Sequence, residues 1–198
     1  MPRTLVIATR NRHKFKEMVA ILAGLPAEMK SLDAFGAVGA VEETGDSFEA
    51  NARLKALGYA RATGEWALAD DSGLEVDALG GRPGVRSSRW GGEEGNDALN
   101  NRTLLEALAA QPPETWTARY RCVMALASPR EVLAVTSGVC EGRMTNRPAG
   151  ENGFGYDPYF WLPDFGKTMA ELPPDVKNRL SHRARALAAM RERLEKLL

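Results

Sequence analysis

The chain has 198 residues, enough for one ordinary domain with a full core. Hydrophobic residues make up 44% and charged residues 26%, the composition of a soluble globular protein. Lys plus Arg and Asp plus Glu each number 26, so the formal net charge is zero, which argues against a general DNA or RNA coat with its basic excess. An anionic ligand would have to be met by a local cluster of positive groups. No apolar run approaches the roughly 18 residues of a membrane span, and the short run from Leu5 to Ala8, followed by charge, is no signal peptide. Cys122 and Cys140 stand in apolar stretches without CxxC spacing and read as buried small hydrophobes. A cytoplasmic location is the expectation.

In chain order, Thr4 to Ala8 reads as a buried strand, then a polar turn, then a helix with Phe15, Met18, Val19 and Leu22 on one face. Ser47 is a plausible N-cap for a second helix, with Gly64 just past its end. Trp66 to Asp70 and Leu74 to Ala78 read as two strands, with Asp71-Ser72-Gly73 turning between them. Asn96 can cap a third helix ending before Gln111-Pro112-Pro113. Thr117 to Ala127 and Glu131 to Val139 form a predicted hairpin around Ser128-Pro129-Arg130. A Gly-, Pro- and aromatic-rich loop runs from Pro148 to Pro163. The last helix, from about Ser181, carries Leu187, Met190, Leu194 and Leu197 at helical spacing. Helices alternating with strands early and a hairpin late argue for an α/β fold on a mixed sheet.

Thr9-Arg10-Asn11-Arg12-His13-Lys14 lies at the first strand-to-helix junction. Free backbone N–H groups and the helix dipole favour an anion there, and Lys14 adds charge. The segment lacks the glycines of a P-loop, so an ordinary helix start with solvated basic residues fits it as well. Glu42-Glu43-Thr44-Gly45 and Asp70-Asp71-Ser72-Gly73 place four acids on two segments that can meet around a hard cation. Two adjacent aspartates at a strand tip repel each other unless a cation balances them. The alternatives are a solvated acidic turn and an Asx turn.

On the second helix Ser47, Asn51 and Lys55 form one polar stripe, and Ala50, Leu54 and Leu57 the apolar one. The polar stripe can face a phosphate-filled cleft or water. In Gly153-Phe154-Gly155-Tyr156-Asp157-Pro158, two glycines allow close backbone approach and expose Phe154 as a stacking platform; a packed loop fits equally. Ser181-His182-Arg183, with Lys177 before it, can offer donors from a helix start, or two surface basic groups on a capped helix.

Together these segments resemble the inosine triphosphate pyrophosphatase family, the non-standard purine NTP pyrophosphatases. The resemblance runs from the first strand to the last helix, through Ala8 to Lys14, Glu42 to Gly45, Asn51 to Ala56, Ala69 to Leu74, Phe154 to Pro158 and Ser181 to Arg183. Ser88, within Pro83 to Trp90, stands where relatives usually carry alanine. The resemblance implies a mixed twisted sheet flanked by helices, in two lobes with a cleft between them. It assigns the substrate's phosphates to Thr9, Arg10, Asn11, Arg12, His13 and Lys14, with Lys55 alongside. It gives magnesium to the Glu42-Glu43 turn and to Asp70 and Asp71, with Asp71 as proton acceptor and Ser72 on the substrate. Phe154, Gly155, Tyr156, Asp157, Lys177, His182 and Arg183 are the remaining nucleotide contacts. A homodimer without stable nucleic-acid or membrane partners is implied.

Such an enzyme releases pyrophosphate as water attacks the α-phosphorus, largely by positioning and charge stabilisation. A related pyrophosphatase acting on pyrimidine or modified nucleotides is the first alternative. The second is a nucleotide-binding module without turnover, which the clustered acids oppose.

Overall fold

In the computed structural model, residues 2–198 are described. The strands are β1 (Arg3–Ile7), β2 (Ala27–Ser31), β3 (Trp66–Val76), β4 (Thr117–Ala127), β5 (Val132–Met144), β6 (Phe160–Leu162) and β7 (Lys167–Thr168). The helices are α1 (Arg12–Ile21), α2 (Phe48–Thr63), α3 (Asp97–Ala109), α4 (Pro174–Leu180) and α5 (His182–Leu197), with short 3-10 turns between elements. The strands form one sheet in the order β2-β1-β3-β4-β5-β6-β7. β1 runs parallel to both β2 and β3, while β5, β6 and β7 are antiparallel neighbours, so the sheet is mixed and the fold α/β as expected.

Local signals explain most boundaries. Leu5, Val6 and Ile7 are fully buried, as a continuous apolar run in an interior parallel strand should be. Ser47 Oγ accepts the Ala50 N–H to start α2, and Gly64 closes it in the left-handed conformation. Asn96 caps α3 by accepting the Leu99 N–H. Ser128 N donates to Glu131 O at 2.9 Å, closing the predicted hairpin of β4 and β5.

The structure departs from expectation at several points. β3 does not break at Asp71-Ser72-Gly73; it is one 11-residue strand, and the Asp pair lies in its middle. Ladder pairing and buried ion pairs override the Asx-turn tendency there. On α2 the buried face is Phe48, Asn51, Ala52, Ala56, Tyr59 and Ala60, whereas Leu54 is exposed, because Asn51 has a buried polar partner and turns inward. Leu197 is exposed although Leu187, Met190 and Leu194 of the same helix are fully buried, since the packing ends a turn before the helix does. β2, half-exposed at the sheet edge, was not predicted; Ala27-Glu28-Met29-Lys30-Ser31 carries too little apolar character to read as a strand.

The chain divides into two compact units. The first comprises the chain up to Asp71, Cys122–Gly138 and Arg183–Leu198. Its core gathers Leu5, Ile7, Met18, Leu68, Met124 and Leu187. The second comprises Ser72–Arg121 and Val139–His182, with a core around Leu74, Leu104, Leu108, Tyr120 and Phe160. Among the described residues no helix is long and apolar enough to cross a membrane.

Candidate active site

In the first unit the chain leaves β1 at Ile7 and enters α1 at Arg12. Asn11 Oδ1 caps this helix, accepting from His13 N at 2.9 Å and Lys14 N at 3.1 Å. Two of the N–H groups expected to be open to an anion are therefore already satisfied, and the charged side chains carry more of any anion binding. Arg10, Asn11, Arg12 and His13 are exposed and Thr9 half-buried. A cavity of about 730 Å³ opens beside them, with Thr9, Arg10, Asn11 and Arg12 on one wall and Leu32 and Asp33 on another. Arg10 donates to Val38 O at 2.6 Å.

The Lys14 ammonium lies 2.8 Å from Asp70 Oδ2. Asp70 is 2% exposed and also faces Arg183, whose Nε lies 3.9 Å from Oδ2. Arg183 is itself buried and pairs with Glu17. Burial alone would raise the Asp70 pKa, but Lys14, Arg183 and Lys55 outweigh it and hold the carboxyl well below the usual range. Asp70 is thus a fixed anion.

Asp71, next on the strand, is balanced differently. Its Oδ2 accepts from Asn51 Nδ2 at 3.1 Å and its Oδ1 lies 3.7 Å from the Lys55 ammonium. Here burial wins over the attraction of Lys55 and the Asn51 hydrogen bond, and the Asp71 pKa is raised. A carboxylate with a raised pKa is the better proton acceptor of the two. Lys55 is desolvated as well, yet Asp70, Asp71 and Glu43 together raise its pKa and keep it charged.

Glu43 reaches the same lysine at 3.1 Å. Asn51 Oδ1 accepts Gly45 N at 2.8 Å, so a single amide fixes both the acidic turn and Asp71. A Cβ on Gly45 would stand 2.7 Å from that same Oδ1, which is why the turn needs glycine here. Of the four acids expected at a metal, Glu43 and Asp71 share the Lys55 ammonium, Asp70 belongs to Lys14 and Arg183, and Glu42 is exposed with no ion pair seen among the described residues. No group of three or more His, Cys, Asp or Glu converges among the described residues. Two carboxylates facing one cation nonetheless suit magnesium, which takes one or two carboxylates and completes its shell with water and phosphate oxygens.

The second unit holds the aromatic candidates. Gly153 has φ +81°, and a Cβ there would fall 2.0 Å from Asp157 Oδ2. That close approach lets Asp157 Oδ2 accept from Phe154 N at 3.0 Å and from Lys177 Nζ at 2.7 Å. The Lys177 ammonium also stands 4.8 Å from the centre of the Phe154 ring, a cation–π distance. Tyr156 is buried and donates to Ser87 O at 2.7 Å. Phe154 and Gly155 remain half-exposed, as does Ser72. His182 is buried and stacks on Tyr120 with ring centres 4.7 Å apart, while the Tyr120 hydroxyl bonds Asp157.

His182 and Arg183 are thus buried groups, where a capped helix with surface charges was one of the two sequence readings. Asn51, marked in the sequence only as part of a polar stripe that could face phosphate, holds Asp71. Two residues that sequence reasoning did not single out stand out as well: Glu17 holds Arg183 and Tyr120 backs His182. Glu17 had a signal in helical spacing, three residues after Lys14; Tyr120 had none.

A model of the Ham1 family matches residues 5–193. The chain is 48% identical over 196 residues to a dITP/XTP pyrophosphatase of Geobacillus kaustophilus, covering 99% of this chain and 96% of the relative. It is 50% identical over 190 residues to a dITP/XTP pyrophosphatase of Geobacter sulfurreducens, covering 96% of each. Among solved structures, a HAM1 protein from Coxiella burnetii superposes with a TM-score of 0.90 at 40% identity, covering 98% of this chain and 99% of that one. The Staphylococcus aureus Ham1 protein gives 0.87 at 36% identity, covering 99% and 100%.

Proposed function

The chain belongs to the Ham1 family, and on that premise we propose that it hydrolyses the non-standard purine nucleoside triphosphates ITP, dITP and XTP to the monophosphate and pyrophosphate, cleansing the nucleotide pool. The proposal extends to a cytoplasmic homodimer, one pyrophosphatase domain, and magnesium as cofactor. The observation that supports the chemistry is the buried Asp70-Asp71 pair in two different charge environments, Asp70 facing Lys14 and Arg183 and Asp71 facing Asn51 and Lys55.

Asp71 accepts the proton of the water that attacks the α-phosphorus. Asn51 and Lys55 orient its two oxygens, so that the carboxylate is aimed before substrate arrives. Lys14 and Lys55 balance the phosphate charge, with Thr9 to His13 adding donors and cations. Bound magnesium, held by Asp71 and a carboxylate of the Glu42-Glu43 turn, would neutralise phosphate charge and acidify a water. Phe154 stacks on the base, with Lys177, His182, Arg183 and backbone groups of Gly155 to Asp157 as polar contacts.

Inosine and xanthosine carry a carbonyl acceptor at the purine six-position, where adenine carries an amino donor. Donors facing a donor leave buried groups unpaired, at about 1 to 3 kcal/mol each. Pockets built on hydrogen bonds reject the wrong partner by about 10,000-fold. Pyrophosphate release from ITP, XTP, GTP and ATP, followed with a coupled inorganic pyrophosphatase, should therefore place ITP and XTP far ahead of ATP in kcat/KM. ATP turned over as efficiently as ITP would sink the pool-cleansing role, even with the pyrophosphatase chemistry intact.

A further inference from the structure

Helix α3 offers the second unit something no role has yet absorbed. Its first-turn residue Asp97 accepts the N–H of Gly155 through Oδ2 at 2.7 Å. One turn on, Asn101 Nδ2 donates to the carbonyl of the same Gly155 at 2.9 Å. Both hydrogen-bonding groups of one peptide residue are thus held by one helix, from side chains four apart on a single face. Gly155 has φ +64°, so it turns the chain between Phe154 and Tyr156 and sets where each side chain points.

The Asn101 amide can serve only one way round. Its Nδ2 also donates to Asp97 O at 2.9 Å, so the nitrogen faces two carbonyls. A flipped amide would put oxygen against both. Asn101 is buried at 9% exposure, where a lost hydrogen bond is not replaced by water. The rest of the segment is anchored separately. Tyr156 bonds Ser87 O, and Asn100 accepts Gly91 N at 2.7 Å and donates to Ser88 O at 3.0 Å. Without Asp97 and Asn101 the Tyr156 side would keep its bond to Ser87 and Phe154 its contacts with Asp157 and Lys177, but the turn at Gly155 that joins them would lose its fixed setting.

We infer that Asp97 and Asn101 are positioning residues that clamp Gly155 and so set the base affinity and base selectivity of the Phe154 platform. The inference rests on the reading of Phe154 as the base-stacking surface. The clamp acts on the backbone that carries Phe154, so its effect is expected in substrate binding and not in the chemical step.

The test uses the full-length protein with Asp97→Ala, Asp97→Asn and Asn101→Leu. Steady-state kinetics with ITP and ATP, and amide exchange at Gly155 by NMR, are read side by side. Asp97→Ala and Asn101→Leu should each raise KM for ITP about three- to tenfold, the scale of one lost hydrogen bond. Their kcat should stay within about twofold of the parent, and the ITP-over-ATP preference should narrow. Asp97→Asn keeps an acceptor oxygen and should restore both KM and slow exchange at Gly155. Faster exchange with unchanged KM would overturn the role in base binding. Unchanged exchange would overturn the clamp itself, whatever the kinetics. A parent protein that releases no pyrophosphate from ITP would instead strike the proposed function, and the exchange rates would still decide whether Gly155 is clamped.

Discussion

The two units hold their candidate residues by different physics. In the first, Lys14, Lys55, Asp70, Asp71 and Arg183 are positioned by charge, each carboxylate facing at least one cation at low exposure. In the second, Phe154, Gly155 and Tyr156 are positioned by hydrogen bonds to the backbone and by packing, with Asp157–Lys177 as a buried ion pair beside them. The difference fits what each meets under the proposed function. A triphosphate is recognised by charge, and side chains already balanced against each other can exchange partners with it at modest cost. A purine ring is recognised by a flat face and by donors and acceptors at fixed places, which demands a rigid backbone more than a field. Buried charge gives the first unit strong, long-reaching coupling, and removing one member exposes the others. Hydrogen-bonded backbone gives the second unit many small, local terms.

The sharpest way to break this contrast is at Asp71. Asp71→Asn is near-isosteric, retains an acceptor for Asn51 and loses both the charge facing Lys55 and the ability to take a proton. Turnover of ITP should fall about 100- to 10,000-fold, the usual cost of losing a general base. Circular dichroism and the melting temperature should stay close to those of the parent, since burial already disfavours the charged form. A purified variant keeping more than a tenth of parental activity would remove Asp71 from that role.

How much of this was legible beforehand follows the same division between local and distant causes. Ser47, Gly64 and Asn96 announce their helix ends because a cap is a matter of a few consecutive residues. The Thr9 to Lys14 junction was readable as a strand-to-helix turn for the same reason. The place of Asp70-Asp71 in mid-strand was not, because its cause is Lys14, 56 residues away, and Arg183 near the far end of the chain. Read locally, Asp-Asp-Ser-Gly is a turn; only the distant cations make a buried strand of it. The inward face of α2 was misjudged on the same ground, since Asn51 is polar by composition and core by partnership. Arg183 and His182 could be read as donors to a nucleotide or as surface groups on a helix start, and nothing within several residues of them shows that Glu17 and Tyr120 await them. The family resemblance marked segments without their geometry, so the different charge environments of Asp70 and Asp71 come from the structure.

The second test moves from chemistry to stability. Arg183 is 2% exposed and lies against both Glu17 and Asp70. Arg183→Met keeps most of the side-chain volume and takes a buried cation away from Glu17 and Asp70, the second of which still faces Lys14. Breaking a buried pair by removing one partner typically costs about 3 to 5 kcal/mol, so urea unfolding should show a loss of that size. The double variant with Glu17→Gln should recover part of it, because one stranded charge is gone. Equal losses in the single and double variants would mean that Arg183 contributes by packing alone.

The smallest effect is expected where the same chemistry is present without the burial. In the second unit Arg119 makes a two-pronged pair with Asp77, at 2.8 and 2.9 Å, and a further pair with Glu141 at 3.1 Å. Its geometry is better than that of Lys55 with Asp71, yet Asp77 and Glu141 stand largely in water. Exposed pairs are worth about 0.2 to 1 kcal/mol, so Asp77→Ala should lower stability by less than about 1 kcal/mol at neutral pH and leave ITP turnover unchanged. The pH dependence has a definite sign. Hydrogen bonds from Arg119 and then Thr117 lower the Asp77 pKa in the folded protein. A depressed carboxyl pKa contributes stability that is present above the unfolded value of about 3.9 and disappears as pH falls through the folded value. The difference between parent and variant should therefore be constant from neutral pH down to about 5 and shrink below about 4. It should shrink at high salt as well, since charges this exposed are screened within about 8 Å at physiological ionic strength. A loss of 3 kcal/mol or more for Asp77→Ala would show that geometry, and not burial, sets the strength of ion pairs in this molecule, and the distinction between its two units would fall with it.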